Sequence, residues 1–181
     1  MNRTPVRAFN EMWFRKAPRH RHRTVESIHS YFHPLDGVRG WNRLYGPRGF
    51  LPHQRLVPLG EEAALRAIVE RLAASGCASF LAVLKRFGPG NEGHLSFPMP
   101  GWTLALDLPI GHAALGHMLD ELDELVVAAG GRVYLAKDSR MRRELVPAMY
   151  PRLERWQAVQ RELDPAGRLR SDQSRRLQLL R

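Results

Sequence analysis

The chain has 181 residues, 44% of them hydrophobic and 25% charged, and a formal net charge of +10. That length allows one domain with a core of its own, and the composition is ordinary for a folded protein. With Cys77 as the single cysteine an internal disulfide is excluded, and no apolar run approaches the roughly 18 residues of a membrane span.

Residues 1–50 are rich in arginine and in turn formers. Seven cations precede Thr24, with only Glu11 opposing them. The stretch "RHRHR" (19–23) reads as solvated and basic, since two histidines two residues apart make a poor metal site. Pro34, Gly37, Gly40, Gly46, Pro47 and Gly49 crowd the next stretch, which makes 1–50 a basic, loop-rich leading segment.

A regular pattern begins at residue 51. "HQRLVPL" (53–59) predicts a strand, and 61–75 a helix with Leu65, Ile68, Val69 and Leu72 on one side. "SFLAVLKRF" (79–87) and "WTLALDLPI" (102–110) predict two more strands, separated by Gly88-Pro89-Gly90. A second helix carries Leu115, Met118, Leu119, Leu122, Leu125, Val126 and Ala129 at helical spacing and closes at Gly130-Gly131. "RVYLA" (132–136) predicts the last strand. The order β-α-β-β-α-β is that of an α+β, ferredoxin-like fold, an antiparallel sheet with helices on one face. Residues 140–163 predict a further helix, followed by the apolar-basic tail "SRRLQLLR".

Side chains alternate along a strand, so Trp102, Leu104, Leu106, Leu108 and Ile110 can cover the helices together with Phe80, Ala82 and Leu84. Thr103, Ala105 and Asp107, with Leu81, Val83, Lys85 and Phe87, then share the opposite face. Apolar bodies mixed with an ammonium and a carboxylate resemble the wall of a ligand pocket. The plainer alternative is that Lys85 and Asp107 simply pair across the sheet. Only Lys16, Lys85 and Lys137 are lysines among 28 cations. Against so many arginines, a lysine hints at a site that wants a compact ammonium.

Other chemistries find no support. There is no dinucleotide-binding or phosphate-loop glycine motif, no zinc-protease helix and no nucleophile elbow, and the eight histidines show no metal spacing. Cys77, in "SGCAS", reads as a small buried residue. The positive charge suits nucleic acid, anionic lipid or a phosphorylated substrate. A basic nucleic-acid-binding domain lacks its sheet motif here, so nucleic acid is not the expected partner.

Long segments carry a resemblance: "FHPLDGVRGWNRLYGPRGFL", "KRFGPGNEGHLSFPMPGW", "GGRVYLAKDSR", "AMYPRLERWQAVQRELDP" and "SDQSRRLQLL". In this order they resemble the decaprenylphosphoryl-β-D-ribose 2′-oxidase family, flavoproteins of the vanillyl-alcohol-oxidase type that are related to aldonolactone oxidases. Members are much longer, and the chain is similar to their C-terminal half. The resemblance implies a substrate-binding cap at 51–131, entered through 1–50. It implies that 132–181 packs on an FAD-binding domain absent from this chain, whether the chain is a truncated frame, one part of a split enzyme or a non-functional fragment.

The resemblance also implies roles. Lys137 matches a lysine between flavin and substrate, and Tyr134 a tyrosine that contacts the flavin. Gln54, Leu81, Val83, Lys85 and Phe87 match pocket-lining residues; Phe32 and His33 match a mobile loop over the pocket. Thr103 and Ala105 stand where mycobacterial members carry asparagine and cysteine. The implied reaction is oxidation of C2′ of a polyprenyl-phosphoryl ribose, with non-covalent FAD as hydride acceptor and no metal. An aldonolactone oxidase is the alternative. The implied partners are the polyprenyl-phosphoryl sugar, an FAD-binding N-terminal half and, peripherally, a membrane. With no signal-like apolar core, a cytoplasmic or membrane-peripheral location is expected.

Overall fold

The computed structural model describes residues 3–16, 18–20, 25–33, 36–37, 39–77, 79, 81–111 and 113–180. Strand β1 (Phe50–Pro58) is the centre of the architecture. It pairs antiparallel with β3 (Gly101–Pro109) along its whole length, Phe50 opposite Pro109 and Pro58 opposite Gly101. On its other side lies β4 (Arg132–Val133), and β2 (Ala82–Phe87) pairs with the far edge of β3. The sheet order β2-β3-β1-β4, antiparallel at every seam, is the predicted α+β, ferredoxin-like arrangement.

Earlier in the chain, α1 (Arg3–Lys16) and α2 (Ile28–Phe32) occupy much of the segment read as turn-rich. The two crossover helices are α3 (Glu62–Ser75) and α4 (Leu115–Ala128). In α4 the predicted stripe holds: Leu115, Met118, Leu119, Leu122 and Val126 are buried. In α3, Ile68 is buried, but Val69 is half exposed at the border of the stripe. Gly131 is fixed by crowding, since a Cβ there would sit 2.2 Å from the Leu56 carbonyl.

The helices cover β1, β4 and the adjoining β3 but leave the edge strand β2 bare. Leu104, Leu106 and Leu108 are therefore sealed, while Ala82 and Leu84 on edge strand β2 remain exposed, against expectation. Phe80 lies outside the described residues.

Three predicted boundaries move. The strand expected over 79–87 begins only at Ala82. The strand expected over 132–136 stops after Val133, whose carbonyl accepts from the Tyr150 hydroxyl at 2.6 Å, and Leu135–Lys137 forms a 3-10 turn. The helix expected over 140–163 is divided into α5 (Val146–Met149) and α6 (Leu153–Leu163). Pro151 divides it, by disfavouring helical geometry at Tyr150, whose φ/ψ are −128°/78°. The chain closes with α7 (Asp172–Arg176), capped reciprocally by Ser171 and Ser174. Among the described residues no helix is long and apolar enough to cross a membrane.

Candidate functional site

On the side of the sheet away from α3 and α4 lies a cavity of about 210 Å³. Its wall is formed by Gln54 of β1, Leu81, Val83 and Lys85 of or beside β2, Thr103, Ala105, Leu106 and Asp107 of β3, and Lys137. Register explains the grouping: Val83 stands opposite Ala105, which stands opposite Gln54, and Lys85 stands opposite Thr103. Alternation then sends these side chains to one face. Eight of the residues singled out from the sequence, Asp107 among them, are thus brought together.

The polar groups of the wall are tied to one another. Gln54 Nε2 donates to Thr103 Oγ1 at 3.0 Å, and Thr103 Oγ1 donates to the Arg55 carbonyl at 3.1 Å. The Asp107 backbone N–H lies 3.1 Å from Ser79 Oγ and 3.2 Å from the Leu81 carbonyl, which fixes the segment leading into β2. Partial burial pushes the Asp107 carboxyl above its ordinary range, and the charge of Lys137 pulls it back. Leu106 is the lining residue that sequence reasoning missed, since alternation assigned it to the helix side. Asp107, which alternation had placed on this face, forms part of the wall, and the alternative of a cross-sheet pair with Lys85 is not met. Asp107 lies four positions along β3 from Thr103, the partner of Lys85, and no Lys85–Asp107 ion pair occurs among the described residues.

Lys137 reaches the cavity because the chain turns over the end of the sheet instead of extending β4. The Tyr134 N–H donates to the Gln54 carbonyl at 2.8 Å, and Lys137 N–H returns to the Tyr134 carbonyl at 3.0 Å. The buried carboxylate of Asp138 then accepts the backbone N–H groups of Arg140 and Met141. From the tail, Arg176 Nη2 meets the same carboxylate at 2.6 Å, Arg176 Nη1 donates to the Met141 carbonyl, and Gln173 Nε2 donates to the Leu135 carbonyl. The tail is a clasp on the turn that carries Lys137.

The remaining expected site residues lie elsewhere. Phe87 meets Phe97 edge-on at 5.9 Å, and Phe97 stacks on Tyr134 at 4.6 Å, an aromatic row that does not line the cavity. Tyr134 borders a separate open cleft beside α6 and the tail. Phe32 and His33, at the end of α2, are exposed and line none of the cavity. Cys77 is buried, and burial raises its thiol pKa, which suits a packed residue rather than a nucleophile. Among the described residues no histidine, cysteine and carboxylate cluster suits a metal ion.

Known proteins can now be set beside this geometry. The D-arabinono-1,4-lactone oxidase family matches residues 107–177, from the cavity wall at Asp107 through Lys137 to the clasp. Over 179 residues, 99% of the chain, it is 44% identical to the decaprenylphosphoryl-beta-D-ribose oxidase of Mycolicibacterium smegmatis. The chain resembles the C-terminal half of that oxidase. It is also 42% identical, over 99% of its length, to a Streptomyces coelicolor protein described as an uncharacterized protein in the mprA 5′ region. The chain spans 38% of the length of the first relative and 48% of the second.

A flavin can be tested against this wall. Sites that enclose drug-sized ligands run to about 300–1,000 Å³. At about 210 Å³ the cavity is too small for a dinucleotide but admits a sugar ring or the edge of a flavin ring. In size the cavity therefore suits the ring end of FAD, with the Lys137 side chain in its wall.

Proposed function

We propose that the chain is the substrate-side part of an FAD-dependent oxidoreductase that oxidises a secondary alcohol, C2′ of a polyprenyl-phosphoryl ribose. One observation carries the reading: a lysine on a clasped turn closes a small polar cavity together with Gln54, Lys85, Thr103 and Asp107. FAD, when bound, would supply the hydride acceptor. The chain's own residues orient and polarise. Gln54, held in place by the buried Thr103 hydroxyl, offers its amide to a sugar hydroxyl from a wall that is already organised. Lys137 stabilises negative charge developing on the reacting oxygen, and Asp107 balances that ammonium. With Lys85 the wall carries two ammoniums against one carboxylate, a surplus suited to a phosphorylated sugar.

The family match over 107–177 supports a second reading, oxidation of an aldonolactone. The two differ in substrate, not in the role of the turn.

The test is a chimera in which this chain replaces the matched region of the Mycolicibacterium smegmatis relative, with flavin reduction followed in single turnovers. Polyprenyl-phosphoryl ribose should reduce the flavin and a sugar lactone should not. Lys137→Met should slow reduction by about 10²–10³, the scale for one preorganised electrostatic group, and Lys137→Arg should restore only part of the loss. A methionine variant that reduces its flavin at the parental rate would make Lys137 an ordinary cation.

A further inference from the structure

Lys137 stands in the cavity wall next to a carboxylate that could claim it. Asp107 lines the same cavity, but Asp138 follows Lys137 in the chain, and its carboxylate is buried. The guanidiniums that come next are already engaged. Arg140 Nη2 holds Asp120 at 2.6 Å, and Arg142 Nη2 holds Glu124 at 2.5 Å. Asp138 is instead satisfied by the backbone and the tail. Its Oδ1 accepts the N–H groups of Arg140 and Met141 at 3.0 and 2.7 Å, and its Oδ2 accepts from Arg176 Nη2 at 2.6 Å. The other arm of that guanidinium, Nη1, donates to the Met141 carbonyl at 2.9 Å. No ion pair to Lys137 itself occurs among the described residues.

In a step that rests on the reading of Lys137 above, we propose that Arg176 is the positioning residue for that lysine. It fixes the turn and occupies the Asp138 carboxylate, so that the ammonium stays in the cavity wall with Asp107. Two properties of the guanidinium suit it to this. Its planar fork sets two donors in fixed directions, here one for the carboxylate and one for the backbone beyond it. Its charge is permanent, so Asp138 never lacks a counter-ion. Without Arg176 a buried carboxylate would be left with backbone N–H groups alone, and an uncompensated buried charge is costly. The cation next to it along the chain is Lys137, on a flexible four-carbon stem. Folding back to Asp138 would take the ammonium out of the wall. The tail can hold the position because it is itself held, by the reciprocal cap of Ser171 and Ser174 and by burial of Leu177 and Leu179. Gln173 Nε2 donates to the Leu135 carbonyl and secures the other end of the turn.

The test reads Asp107 in the full chain, with no flavin present. The charged groups that line the cavity with Asp107 are Lys85 and Lys137; burial raises its carboxyl, and the charge of Lys137 opposes that rise. The side-chain carboxyl ¹³C resonance of Asp107 is followed against pH. Lys137→Met should raise the midpoint and defines the full effect. Arg176→Gln should raise it by at least about half as much. Arg176→Lys should raise it less, since one ammonium keeps the charge but cannot serve both acceptors in the fork geometry. Arg175→Gln, which breaks an exposed pair with Asp172 on the same helix, should not move it. In the chimera, Arg176→Gln should slow flavin reduction by about tenfold with the half-saturating substrate concentration unchanged. A parental Asp107 midpoint in Arg176→Gln, with only the urea midpoint lowered, would overturn the proposal and leave Arg176 a structural residue. If that variant does not fold, Arg176→Lys decides in the same way, because it keeps the charge beside Asp138. An Asp107 midpoint that ignores Lys137→Met would also overturn it. An Asp107 midpoint that moves while the chimera keeps its rate would uphold the placement and sink instead the role of Lys137 in the reaction.

Discussion

Strand β1 puts polar residues on both faces of the sheet, and the two faces treat them oppositely. His53 and Arg55 point beneath α4, where they meet Asp123; all three are at most 4% exposed. Gln54, between them, points to the cavity, where its amide and Thr103 satisfy each other. On the sealed face Arg55 Nη2 lies 3.0 Å from His53 Nε2 and 3.6 Å from Asp123 Oδ1, and Arg55 Nε and Nη1 have no hydrogen-bond partner among the described residues. A neutral imidazole can use Nε2 once, either accepting from Arg55 or donating to Asp123. Burial pulls the Arg55 guanidinium down to about 10, and burial together with Arg55 lowers His53. The sealed cluster therefore bears on stability; the open wall, already satisfied, is free to serve a ligand.

The largest expected effect breaks this contrast from the sealed side. Asp123→Asn leaves the Arg55 charge buried without a counter-ion and should cost about 3–5 kcal/mol, read as a lower urea midpoint at unchanged slope. Replacing Asp123 with Leu and Arg55 with Met together should return most of the loss, because no charge is then left to desolvate. A cost for Asp123→Asn below about 1 kcal/mol would mean that the cluster is not the sealed charge pair described.

Next in size is the response to acid. The folded pKa of His53 lies below its ordinary value of 6.5, so the unfolded chain takes up this proton more readily than the folded one. Its contribution is present above pH 6.5 and is lost as pH falls through the range below it. His53→Gln should flatten the decline of stability between pH 6.5 and the carboxylate range. An unchanged slope in that variant would assign the decline to other groups.

Much of this contrast was legible in the sequence, though not all. Strict alternation in 102–110 gave the correct faces for Thr103, Ala105 and Asp107, and the α4 stripe gave the core. Three consecutive polar residues, His53-Gln54-Arg55, gave no sign of which face was sealed, because the partner Asp123 sits on a helix 68 residues later than Arg55. Pairing Lys85 with Asp107 required a register that only the assembled sheet supplies. The clasp on Lys137 depends on Arg176 and Gln173, whose spacing from Asp138 and Leu135 leaves no local signature. Met149, Leu153 and Leu177, within the segment expected to pack on an FAD-binding domain, are in this chain's own core. Amphipathicity marks an apolar face without saying what covers it.

The smallest expected effect tests the seam between the two faces. Thr103 is 1% exposed, and its hydroxyl links Gln54 on the cavity wall to the backbone carbonyl of Arg55, the residue whose side chain lies in the sealed cluster. Thr103→Val keeps the shape and the β-branch, so the strand and its packing should persist. It removes one hydrogen bond donated and one accepted. The Arg55 carbonyl lies within the paired length of β1, and the Gln54 amide faces a cavity open to other partners, so neither group is stranded in an apolar site. The net cost should be about 1 kcal/mol rather than the larger penalty of a buried orphan. The Gln54 side-chain amide resonance should shift and broaden in a ¹H–¹⁵N spectrum as its restraint is lost, while the Asp123-dependent part of the stability stays the same. A loss above about 3 kcal/mol would place Thr103 with the sealed core and erase the division between the faces. An amide resonance that does not move would remove the Gln54–Thr103 bond from the wall.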